Sequence, residues 1–213
     1  MAAAVNPAGM AFVEQRIDVG LQLFMPSPRK YTSTGPASNF LDPATGQFTF
    51  SIGDGSQSIE SENDVFLIPH FGANWVLNNT TTLGLAIYGN GGMNTEYKGG
   101  FASVDAALVD PTGTTPPGTA AAQLPGTYGA GTVGVNLEQM FFNFNGAYKV
   151  NPKHALGAGI LLVGQRFRAQ GLEFFSPFSL DPTKLSGNRN STKWGLGVKL
   201  GYQGEVADGV RVG

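Results

Sequence analysis

Along six separate stretches of this chain, polar and apolar positions alternate, and one side of each stretch carries no charged or amide side chain. The apolar sides are Ile17, Val19, Leu21 and Leu23; Val65, Leu67, Pro69, Phe71, Ala73, Trp75 and Leu77; and Leu83, Leu85 and Ile87. They continue with Met140, Phe142, Phe144, Gly146, Tyr148 and Val150; Leu156, Ala158, Ile160 and Leu162; and Trp194, Leu196, Val198, Leu200 and Tyr202. Between them stand Arg16, Asp18, Gln22, His70, Asn74, Gln139, Asn143, Asn145, Lys149, Lys193, Lys199 and Gln203. Successive side chains of a strand point to opposite faces, so each stretch predicts a strand with one greasy face and one mixed face. Either the interior of a soluble β-sandwich or the lipid around a membrane barrel can cover such a face.

The aromatic residues separate these two environments. Trp75 and Tyr148 each stand three residues before a turn, at Asn78–Asn79 and Asn151–Pro152, and Tyr202 stands just before the turn at Val206–Gly209. All three lie on the apolar side near the same end of every second strand, and Trp194 marks the opposite end of the last one. A girdle of Trp and Tyr at fixed depth suits a membrane interface, because the ring is apolar and its polar handle reaches water. In a sandwich the same rings would be core anchors with no reason to share a depth.

The connections alternate in length. Long segments at 25–63, 89–135 and 169–192 are rich in Pro, Gly, Ser and Thr, and Asp110-Pro-Thr-Gly-Thr-Thr-Pro-Pro is incompatible with regular helix or sheet. The turns around Asn78–Thr81, Asn151–His154 and Glu205–Gly209 are short. Short turns at one end and long loops at the other are the asymmetry of outer-membrane barrels, with the long loops outside. The expected fold class is therefore all-β, an antiparallel transmembrane β-barrel of which about 6–7 strands are present; closure needs an even number, so further strands are expected beyond Gly213.

Composition narrows the choice. Charged residues make up only 13% of the 213 residues, against about a quarter in soluble domains. The longest apolar run, Ala155 to Gly164, is about half of what a membrane-spanning helix needs. A net charge of −2 supplies no basic stripe for nucleic acid. There is no cysteine, hence no disulfide or thiol chemistry. No basic start, apolar stretch and small-residue cleavage site marks a signal peptide at the N-terminus.

Several segments resemble the FadL/TodX family of outer-membrane transporters for long-chain fatty acids and aromatic hydrocarbons. They are Asn6-Pro7-Ala8-Gly9-Met10, Arg16–Pro26 (RIDVGLQLFMP), Tyr88–Tyr97 (YGNGGMNTEY), Tyr148–Gly159 (YKVNPKHALGAG) and Leu200–Gly209 (LGYQGEVADG), in that order along nearly the whole chain. The resemblance implies a barrel of about 14 strands plugged by a small N-terminal hatch. Residues 1–15 would be the end of that hatch, with Asn6, Pro7 and Ala8 its motif, and residues 16–213 the partial barrel. It further implies passive, ATP-independent uptake, a bacterial outer-membrane location, a monomer without cofactor, and hydrophobic small molecules and lipid as partners. Most of the hatch, the signal peptide and about half of the barrel have no counterpart here.

The inward positions read independently of that resemblance. Phe24, Phe66, His70, Phe141 and Leu161 make a partly greasy lumen, suited either to apolar ligands or to packing against a plug. Arg16 and Asp18, two apart on one face, are expected to form an interior ion network, since buried charges need partners. Gly89, Asn90, Gly91 and Gly92 fall where the third strand should run on toward the long-loop end. Glycine there marks either a kink that opens the wall sideways to lipid or simply the strand's end.

Catalytic signals are weak. Gly129-Ala-Gly131-Thr-Val-Gly134 fits a dinucleotide fingerprint but leads into a strand rather than a helix. The only histidines, His70 and His154, lie on different strands without neighbouring metal ligands, and no nucleophile elbow occurs. No enzyme, cofactor or metal site is expected. Three function classes stay open: a transporter of hydrophobic compounds, a general diffusion porin with a charge-lined lumen, and a non-transport β-sandwich or adhesion domain.

Overall fold

The computed structural model describes residues 2–33, 51–52, 57–108, 110–117, 121–185 and 189–213. Parts of the three long segments, and the first residue of the hatch end, thus lie outside the described residues. The chain opens with one helical turn, α1 (Ala2–Val5), and a 3-10 turn at Pro7–Phe12. Its strands are β1 (Arg16–Phe24), β2 (Lys30–Ser33), β3 (Ser51–Ile52), β4 (Gln57–Glu60), β5 (Phe66–Val76), β6 (Thr81–Asn90) and β7 (Asn94–Tyr97). There follow β8 (Phe101–Asp105), β9 (Ala121–Pro125), β10 (Val133–Asn151), β11 (His154–Gln170), β12 (Ser191–Ala207) and β13 (Val210–Val212).

One antiparallel sheet dominates, in the order β1-β5-β6-β10-β11-β12-β13, with β7 pairing β10 beyond the end of β6. It is a meander in chain order, and it is open rather than closed among the described residues. The short turns explain the order, because an antiparallel neighbour is all that a few residues can reach. Asn78 and Asn151 build two of these turns: each side-chain oxygen accepts two backbone N–H groups within the next three residues, at 2.9 Å. At the third turn Gly209 adopts a φ of 72°, which a side chain would resist.

Register carries the predicted faces across the whole sheet. Val19 lies opposite Phe71, Phe71 opposite Ile87, Ile87 opposite Phe142, Phe142 opposite Leu162 and Leu162 opposite Leu196. A slip by one residue anywhere would have broken this row. The row faces away from the N-terminal segment, and nothing among the described residues covers this face: Val19 is 78% exposed, Val198 83% and Leu200 82%. Leu85 and Phe142 on the same face are half-buried. A sandwich would bury this face under a second sheet, and among the described residues no such sheet lies on it.

The long segments depart from the expectation of plain loops. They hold two small sheets, β2–β4 and β3–β8–β9. The main strands also run further into them than expected: β6 reaches Asn90, β10 begins at Val133, and β11 ends at Gln170. A strand continues as long as a neighbour supplies backbone partners, and residues 133–136 of β10 have β7 on one side and, from Gly134, β11 on the other. Such pairing partners are distant in sequence, so local composition did not announce them. The stretch from Asp110 to Pro116 is irregular, as its prolines require.

Candidate functional site

Two features of the sheet carry candidate chemistry: the seat of the N-terminal segment, expected from the sequence to be a hatch end, and a break between β5 and β6. The seat is made of small residues. Ala3, Ala8, Met10 and Ala11 pack against Ala86, Ala147 and Ala155 of the wall. A side chain added at Gly84 would run into the Met10 sulfur, at Gly157 into the Pro7–Ala8 backbone, and at Gly201 into Asn6 and Pro7. These glycines let the two backbones approach closely.

Polar side chains then fasten the hatch end by its backbone. Asn74 Nδ2 donates to the carbonyls of Val13 (2.9 Å) and Glu14 (3.1 Å), with Met10 O at 3.4 Å. Asn145 Nδ2 donates to Ala3 O at 3.3 Å, and Lys199 Nζ to Ala4 O at 2.8 Å. Asn6 works in the other direction: its Oδ1 caps the 3-10 turn through Ala8 N–H at 3.0 Å, and its Nδ2 donates to Tyr202 O at 2.8 Å. Pro7 is preset for the first turn and lacks an N–H to satisfy there. Asn6, Pro7 and Ala8 therefore act as one corner that both starts the turn and pins it to β12.

The break lies at the other end of the same wall. The β5–β6 ladder stops at His70–Tyr88, although β5 continues to Phe66 on β1 and β6 to Asn90 on β10. Pro69, the next residue of β5, has no N–H to offer a neighbour. Beyond Asn90 the strand inserts one extra residue against β10: Asn90 faces Gln139, yet Asn94 faces Asn136. This one-residue mismatch is a β-bulge, which bends the strand locally. Gly92 permits it, because a Cβ there would collide with the Leu137 carbonyl, whereas Gly91 faces open space. None of Gly89, Gly91 and Gly92 has positive φ, so no left-handed turn requires them; Gly92 serves close approach.

The two lips meet again further on. Ser61 bridges Tyr97, Glu62 N–H donates to Glu96 O at 2.9 Å, and Lys98 pairs with Glu62 at 2.6 Å. That carboxylate raises the Lys98 pKa above its ordinary value. The break is thus a framed window in the wall rather than an open slit. A cavity of about 390 Å³ lies in it, walled by Phe24, Phe66, Leu67, Ile68, Leu137 and Met140 and reached by Arg29.

The predicted residues distribute as follows. Phe24 and Phe66 meet at the window, ring centroids 6.2 Å apart. Phe141 instead stacks on Tyr88 at 5.3 Å, His70 lies across Gly20, and Leu161 faces Gly197. The five expected lumen residues are therefore not one cluster. Arg16 Nε donates to Asp18 Oδ1 at 2.9 Å, beside a smaller cavity between the hatch end and β5. Tyr148, Leu156 and Tyr202 form one cross-strand row, with Trp75 one step along and Trp194 against Gly164 at the far end. From Trp194 to Tyr202 is about 26 Å of strand, of the order of the apolar band of a membrane barrel. The Tyr202 hydroxyl meets His154 Nδ1 at 2.7 Å.

Sequence reasoning missed Arg29 at the window and assigned no partner to Asn74, Asn145 and Lys199. Their signal was present only as polar residues on the mixed face; the carbonyls they bind are invisible in sequence. Small residues do stand at inward positions 84, 86, 147, 155, 157 and 201, but their size alone does not say what packs on them. Among the described residues no three His, Asp or Glu side chains converge as metal ligands, and no helix is long and apolar enough to cross a membrane. The second fact says nothing about crossing by strands.

No protein-family model matches this chain, and no curated protein sequence does. Among solved structures it is similar to a crystal structure of a Pseudomonas aeruginosa FadL homologue, with a TM-score of 0.54 and 17% sequence identity. The likeness covers 97% of this chain and 44% of that one, so the chain spans less than half of the length of its structural relative. At that identity the likeness is one of fold: the chain has a FadL-like β architecture.

Proposed function

We propose that this chain is the hatch end and wall of a bacterial outer-membrane β-barrel that takes up hydrophobic compounds passively, without ATP. One observation carries the reading: a largely apolar cavity lies in the wall at the broken β5–β6 ladder, beside a face of bare aliphatic side chains. Unpaired backbone in a membrane is tolerable only where it lines a cavity or meets protein. A window of this kind therefore suits a passage between the lumen and surrounding lipid. Its ring and aliphatic walls, with Phe24 and Phe66 among them, suit long-chain fatty acids or aromatic hydrocarbons. The long segments would lie outside the cell and the short turns in the periplasm, with Trp75, Tyr148, Tyr202 and Trp194 at the interfaces. The hatch corner Asn6-Pro7-Ala8 would control access from the lumen.

Uptake of labelled oleate and toluene by cells lacking a transporter of their own tests this reading. Gly91 has room for a side chain, so Gly91→Val should narrow the window and slow uptake while the protein still assembles. Normal uptake by a well-folded Gly91→Val variant would show that the glycines only end a strand. A large, steady ion current through planar bilayers would favour the open porin instead, because a seated hatch should pass little current.

A further inference from the structure

Inside the window frame, between His70–Tyr88 at one end and Ser61–Tyr97 at the other, the Arg29 side chain binds the backbone of both lips. We propose that Arg29 is a clamp that sets the width of this opening and thereby how bulky a molecule it passes. The proposal rests on the reading of the window as a passage. Arg29 lies on the segment after β1, and its own carbonyl accepts Ser61 N–H at 2.8 Å, which anchors its backbone at the frame. Its guanidinium donates through one terminal nitrogen to the Asn63 carbonyl, on the β5 side, and through the other to the Asn94 carbonyl, on the β7 side. The same group lies over the Phe66 ring, 5.6 Å from its centroid, at the wall of the cavity.

The chemistry of the group explains why it can hold a width. A guanidinium is planar, and its N–H bonds point in fixed directions, so two carbonyls bound to opposite ends are held at a set separation. An ammonium on a flexible stem fixes no such distance. The β7 side is stiff. Asn94 Nδ2 donates to Asn136 Oδ1 at 3.0 Å, Asn136 Nδ2 to Glu138 Oε1 at 2.9 Å, and Glu138 pairs with Arg166 at 3.3 Å. The other lip, Phe66 to Pro69, pairs only with β1. Across the gap, besides Arg29, the Asn63–Asn94 side-chain hydrogen bond of 2.7 Å remains. The soft lip is thus held against the stiff one by the Arg29 fork together with this one amide hydrogen bond.

The absence of native cysteine makes labels on the two lips specific. Spin labels at Leu67→Cys and Met93→Cys, both exposed positions on opposite lips, report the width in membranes by pulsed electron resonance. With Arg29 present the distance distribution should be narrow. Arg29→Gln should lengthen and broaden it, and uptake of a bulky 12-pyrenyl-dodecanoate relative to plain dodecanoate should rise several-fold. Arg29→Lys keeps the charge and loses the fork, so it should behave like Arg29→Gln and also covers the case in which the glutamine variant fails to assemble. Joining the two cysteines with a short bis-maleimide should restore the wild-type uptake ratio in either variant. An unchanged distance and ratio in Arg29→Gln would overturn the clamp, and wild-type behaviour of Arg29→Lys would replace it with a role for charge alone. A changed distance with no uptake of either probe by any form would reject the transport reading and leave the clamp standing.

Discussion

On the side that meets the hatch, the wall is built of glycine, alanine and asparagine; on the other side the same strands carry leucine, isoleucine, valine and aromatic rings. The inner surface works by shape. Gly84, Gly157 and Gly201 leave room for the N-terminal segment, and Asn74, Asn145 and Lys199 bind its carbonyls, so each position has defined partners and little freedom to change. The outer surface works by transfer energy alone, which is non-directional and needs only apolar area. Inner positions should therefore be sensitive to size and donor chemistry, and outer positions only to polarity.

The largest effect should come from charge on the outer face. Val198→Arg, near the middle of the apolar band, should lower the stability of protein folded into vesicles by roughly 2–4 kcal/mol in urea titration. Val198→Leu should change little. If the arginine variant were as stable as the parent, this face would be meeting water or protein instead of lipid.

Size should matter next, and only inside. Gly157→Leu would drive a side chain into the Pro7–Ala8 backbone, at about 1–3 kcal/mol for an overpacked site. The hatch end should lift away while the wall remains folded. Ala8→Cys, fully buried in the parent, would then become reactive toward a thiol reagent, and continued protection would argue that the seat can yield. The same substitution at Gly195, on the mixed side where a Cβ meets nothing, serves as the control.

Donor chemistry gives a smaller difference. Asn74→Ala removes the donor that binds Val13 and Glu14 carbonyls and should cost about 1 kcal/mol. Asn74→Asp should be worse, because it sets acceptors against acceptors. Hydrogen exchange over residues 8–14 reads both, and equal protection in the two variants would mean that volume rather than donation holds the hatch there.

The smallest effect concerns acid, outside both faces. In the long segments Asp110 accepts hydrogen bonds from Thr112 foremost and also from Thr115, which holds its carboxyl far below the usual range. Thr183 foremost and Lys184 do the same for Asp181. A depressed folded pKa contributes stability above the unfolded value and loses it as pH falls through the folded one. Resistance of these turns to proteolysis should therefore stay constant from neutrality down to the ordinary carboxylate range near pH 4, and fail only below it. Loss of protection at pH 5–6 would show that these hydrogen bonds do not order the turns.

How much of this was written in the chain follows from the range of each interaction. The period of two along each strand placed Leu21, Leu85, Phe142, Ile160 and Val198 on one face, and the pairing register keeps them there. Asn78, Asn151 and Gly209 marked the short turns, and these sufficed for the order of the strands, because both signals lie within a few residues of where they act. Gly89 to Gly92 were readable as an irregularity, but not as a bulge against Leu137 rather than a strand end. That choice depends on how far β7 finds a partner in β10, more than thirty residues downstream. Arg29 carried no signal in the sequence, because its acceptors are backbone carbonyls at Asn63 and Asn94, which any sequence possesses. Local alternation and turn chemistry thus determined the sheet and its two faces. The hatch seat, the window and its clamp were decided only by the tertiary structure, since they consist of contacts to main-chain atoms, whose positions no residue type encodes.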